Sequence, residues 1–134
     1  MNEEVIISVG KTAAVSTTVD ESNTARAVGS GSLNVFATPM MIALMERAAC
    51  EVLSDVLETG QTSVGTQIEV SHTAASPPGS TITAAATIVN ADGRKIEFTV
   101  TASDGVGEIG NGTHTRVIVD ETKFMAKANE KIKR

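Results

Sequence analysis

The spacing of apolar residues changes period twice along the chain. In "AAVSTTVDES", Ala13, Val15, Thr17 and Val19 fall on one parity, which predicts a first strand. "ARAVGSGSLN" follows, with small residues and glycines, and reads either as a mobile loop lying over something or as a plain connector. From Thr38 to about Glu58 the spacing is helical. Thr38-Pro39 offers a capping hydroxyl followed by proline at the first helical position, and Gly60 ends the run. The first two turns are apolar all round, while Arg47, Glu51, Ser54, Asp55 and Glu58 gather on one side of the later ones. The helix should therefore be wrapped by protein at its start and meet solvent only near its end. From Ser63 the period becomes two: Val64, Thr66, Ile68, Val70, His72 and Ala74 share one face, and Gly65, Gln67, Glu69, Ser71 and Thr73 the other. "SPPGS" must turn, because prolines cannot donate to a ladder. Two strands joined by a hairpin at Asp92-Gly93 come next, then "SDGVG" and a last strand "EIGNGTHTRVIVD", with a bulge expected over Gly110–Gly112. The tail "ETKFMAKANEKIKR" has helical spacing and ends in basic residues.

The order is strand, long helix, then four antiparallel strands, with a terminal helix. One long apolar helix and a sheet large enough to wrap it make an α+β arrangement, with the helix in the concave face. At 134 residues the expectation is a single domain spanning 1–134. A net charge of −5 argues against nucleic acid or an anionic membrane as partner. With no apolar run of about 18 residues and no basic region ahead of an apolar one, a cytoplasmic protein is expected. Cys50 is alone and on the helix's apolar stripe, so it is read as a small buried hydrophobe. There is no Trp or Tyr, so stacking on bases is not expected and the core must come from Val, Ile, Leu, Ala and Met. The chain is read as needing no metal and no resident cofactor.

One charge stands out. At 100° per residue, Glu46 shares the stripe of Ile42, Cys50, Leu53 and Leu57. A carboxylate there either closes a core defect through an ion pair or hydrogen bond, reaches solvent past small neighbours, or does chemistry. His72 falls on the parity of Ile68 and Val70 and points at the same interior. Two titratable groups aimed into one apolar space suit acid-base work better than either alone.

The segments "VFATPMMIALMERAACEVL", "SVGTQIEVSHTAASPPGSTIT" and "SDGVGEIGNGTHTRVIVDETKF", together with the ordered spacing of Thr38, Glu46, Gly65, His72 and Arg116, resemble the hotdog-fold thioesterases, and within them the fluoroacetyl-CoA thioesterase family. The resemblance covers about Val35 to Ala128. It implies an antiparallel sheet wrapped round one central helix, an obligate homodimer or a higher assembly of it, and hydrolysis of a short-chain acyl-CoA. It also implies that Thr38, Glu46 and His72 are the catalytic trio and that Gly65 and Arg116 line the substrate site. A non-catalytic acyl-CoA binding or sensing dimer is the alternative, favoured if Glu46 is locked in an ion pair without access to a pocket.

If Thr38 caps the helix that bears Glu46, the axial rise separates them by about 12 Å, so they cannot meet on one chain. A composite site is expected, in which the helix tip of one subunit faces Glu46 of the other, with the free N–H groups of the first turn near the thioester oxygen. Glu46 would then activate water or attack the thioester carbon, and His72 would orient it or move a proton to the departing thiolate. Gly65 falls on the parity opposite His72, and gives room for ligand, gives an N–H, or is an ordinary strand glycine. Arg116 is either an exposed strand arginine or a contact to the acyl group or a CoA phosphate. His114 shares its parity without an assigned role. The "ARAVGSGSLN" segment lacks the lid phenylalanines that the resemblance would call for, which argues against fluoroacetyl selectivity. Lys127, Lys131, Lys133 and Arg134 form either a solvated helix end or a contact to the nucleotide of CoA.

Overall fold

The computed structural model describes residues 7–132; Lys133, Arg134 and the first residues of the N-terminal stretch lie outside the described part. Strand β1 (Thr12–Thr18) leads through a short helix α1 (Ala25–Val28) to the long helix α2 (Thr38–Leu53). Strands β2 (Gln61–His72), β3 (Thr81–Asp92), β4 (Lys95–Ser103) and β5 (Glu108–Asp120) follow, and helix α3 (Glu121–Asn129) closes the chain. The strands form one antiparallel sheet in the order β1-β3-β4-β5-β2, so β1 and β2 are its edges.

The sheet's inner face is alternate by residue. Ile82, Ala84, Ala86 and Ile88 of β3 and Ile96, Phe98, Val100 and Ala102 of β4 are buried against Met41, Leu44, Met45, Ala48, Ala49, Val52 and Leu53 of α2. Each of the large side chains contributes about 1.5–3 kcal/mol by leaving water. Alanines on both surfaces let the helix lie close to the sheet. α2 packs chiefly over β3, β1 and β4 and much less over β2, leaving the β5–β2 side of its flank for polar groups.

Three features differ from the expectation. The helix is not covered all round at its start: Thr38, Pro39, Ala43 and Cys50 are exposed on the single chain, so Cys50 is not a buried hydrophobe here. It also ends at Leu53 rather than near Glu58, because Ser54 caps it and its hydroxyl donates to the Glu51 carbonyl at 2.9 Å. Last, β2 and β5 keep an unbroken register over Gly110–Gly112; the interruption beside it lies on the β4 side, between Ala102 and Ser103. Those glycines serve close approach instead. A Cβ on Gly112 would lie 2.0 Å from the Glu69 carbonyl oxygen, and one on Gly110 would lie 2.6 Å from Met41 Sδ.

The β3–β4 hairpin turns through Gly93-Arg94, with Gly93 at φ 64° in the first central position. Asp104 braces the β4–β5 turn by accepting from the Val106 and Gly107 N–H groups at 3.0 and 3.2 Å. No helix among the described residues is long and apolar enough to cross a membrane.

Candidate active site

The start of α2 carries the first polar group. Ala37 is the N-cap and no side chain caps the helix, so Thr38 occupies the first helical position with its hydroxyl released from capping. That hydroxyl lies 2.7 Å from Nδ1 of His72, at the end of β2. His72 Nε2 is buried and has no hydrogen-bond partner among the described residues. Burial holds the His72 pKa below its ordinary value of 6.5, outweighing the Ala74 backbone, which acts the other way. The imidazole is therefore neutral at pH 7.

The backbone donors of this turn are fewer than the expectation needed. Pro39 has none, and Met40 and Met41 both donate to the Ala37 carbonyl at 3.0 Å. Only the Thr38 N–H is without a partner among the described residues.

A pocket of about 290 Å³ opens beside Thr38 and His72, bounded by Ala25, Ser30, Val35 and Phe36. Ala25 and Ser30 belong to the 25–34 segment, which is folded rather than loose. Thr24 caps α1, Gly29 ends it at φ 83°, and the ends are stapled by a bridge between Thr24 and Phe36. Ala25 and Ser30 thus contribute to the pocket wall, while most of the segment's other residues are exposed.

The second polar group surrounds Glu46. Its Oε2 accepts from Arg116 Nη1 at 3.3 Å and lies 3.8 Å from His114 Nε2, and the Glu46 side chain is 41% exposed. Arg116 is buried. Its Nε donates to Ser63 Oγ at 2.8 Å, its Nη2 to the Ser63 carbonyl at 3.0 Å, and its Nη1 to His114 Nε2 at 3.1 Å as well as to Glu46. With Arg116 buried and every guanidinium nitrogen engaged inside the chain, the exposed-arginine reading is wrong.

Gly65 makes room for this arrangement. A Cβ there would lie 2.7 Å from Glu46 Oε2, 3.1 Å from His114 Cε1 and 3.3 Å from Arg116 Nη1. Strict alternation from His72 puts Gly65 on the opposite face. A register shift between Gly65 and Gln67 inverts the parity, so Gly65 upstream and Ile68 and His72 downstream look to the same side.

Comparison with known proteins gives the family of the chain that carries these two groups. The sequence profile of the family described as fluoroacetyl-CoA-specific thioesterase matches residues 19–122. A fluoroacetyl-CoA thioesterase from Streptantibioticus cattleyicolor is 47% identical over 97 residues, 72% of this chain and 70% of that protein. The chain belongs to the fluoroacetyl-CoA-specific thioesterase family. Among solved structures of that family, a mutant fluoroacetyl-CoA thioesterase in complex with acetyl-CoA is 39% identical with a TM-score of 0.88, over 93% of this chain and 98% of that one. A Thermus thermophilus thioesterase superfamily member is 28% identical with a TM-score of 0.86, over 93% of each chain. The fold is accordingly the hotdog fold, and the protein is a thioesterase.

Within this thioesterase, Thr38 meets His72, and Glu46 meets Arg116 beside Gly65. No hydrogen bond or ion pair among the described residues joins the two sets on one chain. His114 was missed as a member of the second set. The available signal was its place two residues before Arg116 on β5, which puts both side chains on the inner face.

Proposed function

We propose that the protein hydrolyses a short-chain acyl-CoA thioester to free acid and CoA, in the cytoplasm, at a site that two copies of the chain build together. The observation that carries this is the division of the machinery: a Thr38–His72 pair at the tip of α2, and a carboxylate two turns further along the same helix whose one hydrogen bond among the described residues comes from Arg116. By axial rise the two stand about 12 Å apart, too far for one thioester. Both open on the uncovered flank of α2, where Ala43 and Cys50 are exposed, next to edge strand β2. An unpaired edge of this length, with Ile68 37% exposed on it, favours a two-fold partner that brings its own Glu46 to the helix tip of its mate.

In this reading the thioester carbonyl lies at the Thr38 N–H, in the field of the helix N-terminus, with the acyl end in the pocket beside the 25–34 segment. Glu46 of the other subunit takes a proton from water as the new C–O bond forms, or attacks the carbon directly and is released by water afterwards. The C–S bond breaks: in the first route His72, its ring fixed by Thr38, relays the proton that Glu46 took from water to the departing sulfur, and in the second the thiolate leaves first and receives through His72 the proton of the water that opens the Glu46 anhydride. Gly65 keeps the space beside the carboxylate free, and Arg116 sets its direction.

The binding-only alternative required Glu46 to be locked away. Its partial exposure, and its place with Gly65, Ile68 and His114 around a surface pocket, support the enzyme instead. The 25–34 segment carries no phenylalanine, so nothing in it favours the fluorinated group.

Glu46→Gln should abolish thiol release from a panel of short acyl-CoAs without changing the oligomeric state, and so should His72→Ala. Mixing the two inactive proteins under exchange conditions should restore roughly a quarter of wild-type activity, since half the dimers are mixed and each carries one intact site. Mixed dimers that form and stay inactive would rule out the shared site; a fully active Glu46→Gln would rule out the role of Glu46.

A further inference from the structure

His114 is a buried titratable side chain with no part in the chemistry above, and its hydrogen bonds define its state. Arg116 Nη1 can only donate, so His114 Nε2, 3.1 Å away, must accept and carries no proton. The ring proton is then on Nδ1, which donates to the Gln67 carbonyl at 2.7 Å. Gln67 is the residue at which the β2–β5 register resumes after the irregularity at Gly65, and the imidazole stacks on Phe98 with ring centroids 6.1 Å apart. One tautomer fits this cage. Protonation would set a cation against Arg116 and remove the acceptor that Nη1 uses, and burial already pushes the His114 pKa down, with Gln67 and Glu46 opposing and Arg116 assisting. The 3.8 Å approach of Nε2 to Glu46 is thus not an ion pair.

The order of dependence runs outward. The backbone at Gln67 sets the tautomer, the tautomer supplies an acceptor, and the acceptor together with Ser63 fixes the guanidinium that gives Glu46 its hydrogen bond. We infer that His114 is a positioning residue: as the neutral Nδ1–H imidazole it holds Arg116, and through Arg116 it aims the Glu46 carboxylate. The inference rests on the assignment of Glu46 to the reaction.

The groups facing His114 are Glu46, Arg116, the Gln67 carbonyl and the Phe98 ring. Three substitutions separate its functions. His114→Gln keeps an acceptor near the Nε2 position, His114→Asn keeps a donor near Nδ1, and His114→Phe keeps only the ring and its stack. Losing the Nε2 acceptor should lower kcat about tenfold to a hundredfold with KM within about twofold, the range for one hydrogen bond to a charged group. The Phe and Asn variants should show that loss, and Gln should stay within about threefold of wild type. A long-range 1H–15N spectrum of the wild-type protein at pH 7 should show His114 protonated on Nδ1 and bare at Nε2.

A proton on Nε2, or wild-type kcat in His114→Phe while Glu46→Gln is dead, overturns the inference and leaves the proposed reaction standing. Activity retained by Glu46→Gln overturns the reaction itself, whatever His114 does. Equal losses in Gln and Asn assign His114 a merely structural role and also overturn the inference. Should the Phe variant not fold, the Gln against Asn comparison and the tautomer decide.

Discussion

Replacing Gly65 with alanine adds one methyl group at the most crowded point around the carboxylate. The new Cβ would lie 2.7 Å from Glu46 Oε2, about 0.7 Å inside ordinary contact. The hydrogen bond from Arg116 already spans 3.3 Å, so a displacement of that size carries it beyond bonding distance. A hydrogen bond to a charged group contributes about 1.5–3 kcal/mol, and the partial exposure of Glu46 places this one at the lower end. Transmitted to the transition state, that is about a tenfold loss in kcat. The fold should hardly register the change. The obstructing atom is the far end of a flexible side chain, and alanine stiffens the unfolded strand in compensation, so the melting temperature should stay within about 3 °C of wild type. Steady-state thiol release and a thermal melt on the same preparation test both halves. Unchanged kcat, or a melting temperature that falls by many degrees, would refute the idea that Gly65 is kept small for the carboxylate.

Gly112→Ala should behave in the opposite way, because its Cβ meets the Glu69 carbonyl at 2.0 Å and Val70 Cα at 2.6 Å, which are backbone atoms that cannot rotate aside. A loss of at least about 2–3 kcal/mol in urea unfolding is expected, and a loss under about 1 kcal/mol would contradict it. The pH dependence of stability follows from the histidines. Both have folded-state pKa values below the ordinary 6.5, so the unfolded chain binds more protons below that pH. Their contribution is complete above about pH 6.5 and is lost as the pH falls through their folded values. The lowered carboxylates Asp20, Asp55 and Asp104 start from 3.8 and act further down. The urea midpoint should therefore fall between pH 7.5 and 5.5, and the double variant His72→Gln/His114→Gln should flatten that slope; an unaltered slope would remove the histidines as its cause.

Periodicity carried the element order, because burial on one face of a helix or strand writes a period into the chain. It located Glu46 and His72 as polar intrusions on apolar faces. What it could not carry were events that break local counting. The extra residue in β2 inverts the parity of Gly65 without a distinctive residue type, since Thr66 is an ordinary strand former. The helix start misled for a related reason: Thr38 before proline has the composition of a cap, yet Ala37 takes that position and the hydroxyl turns to an imidazole far along the chain. The burial of Arg116 was not legible because its partners Ser63 and Glu46 come from two other elements. Exposure of Cys50 depends on what covers α2, which is a property of an assembly rather than of a local pattern.

The irregularity in β2 also constrains how the strand can change over time. One spare position at Thr66 sets the two halves of the strand out of phase, so that the glycine before it and the histidine after it serve a common centre. Removing that position would rotate one half by half a pleat and send its contribution to the opposite surface, and no point substitution could bring it back. Along this stretch a change of length is therefore a graver lesion than a change of residue.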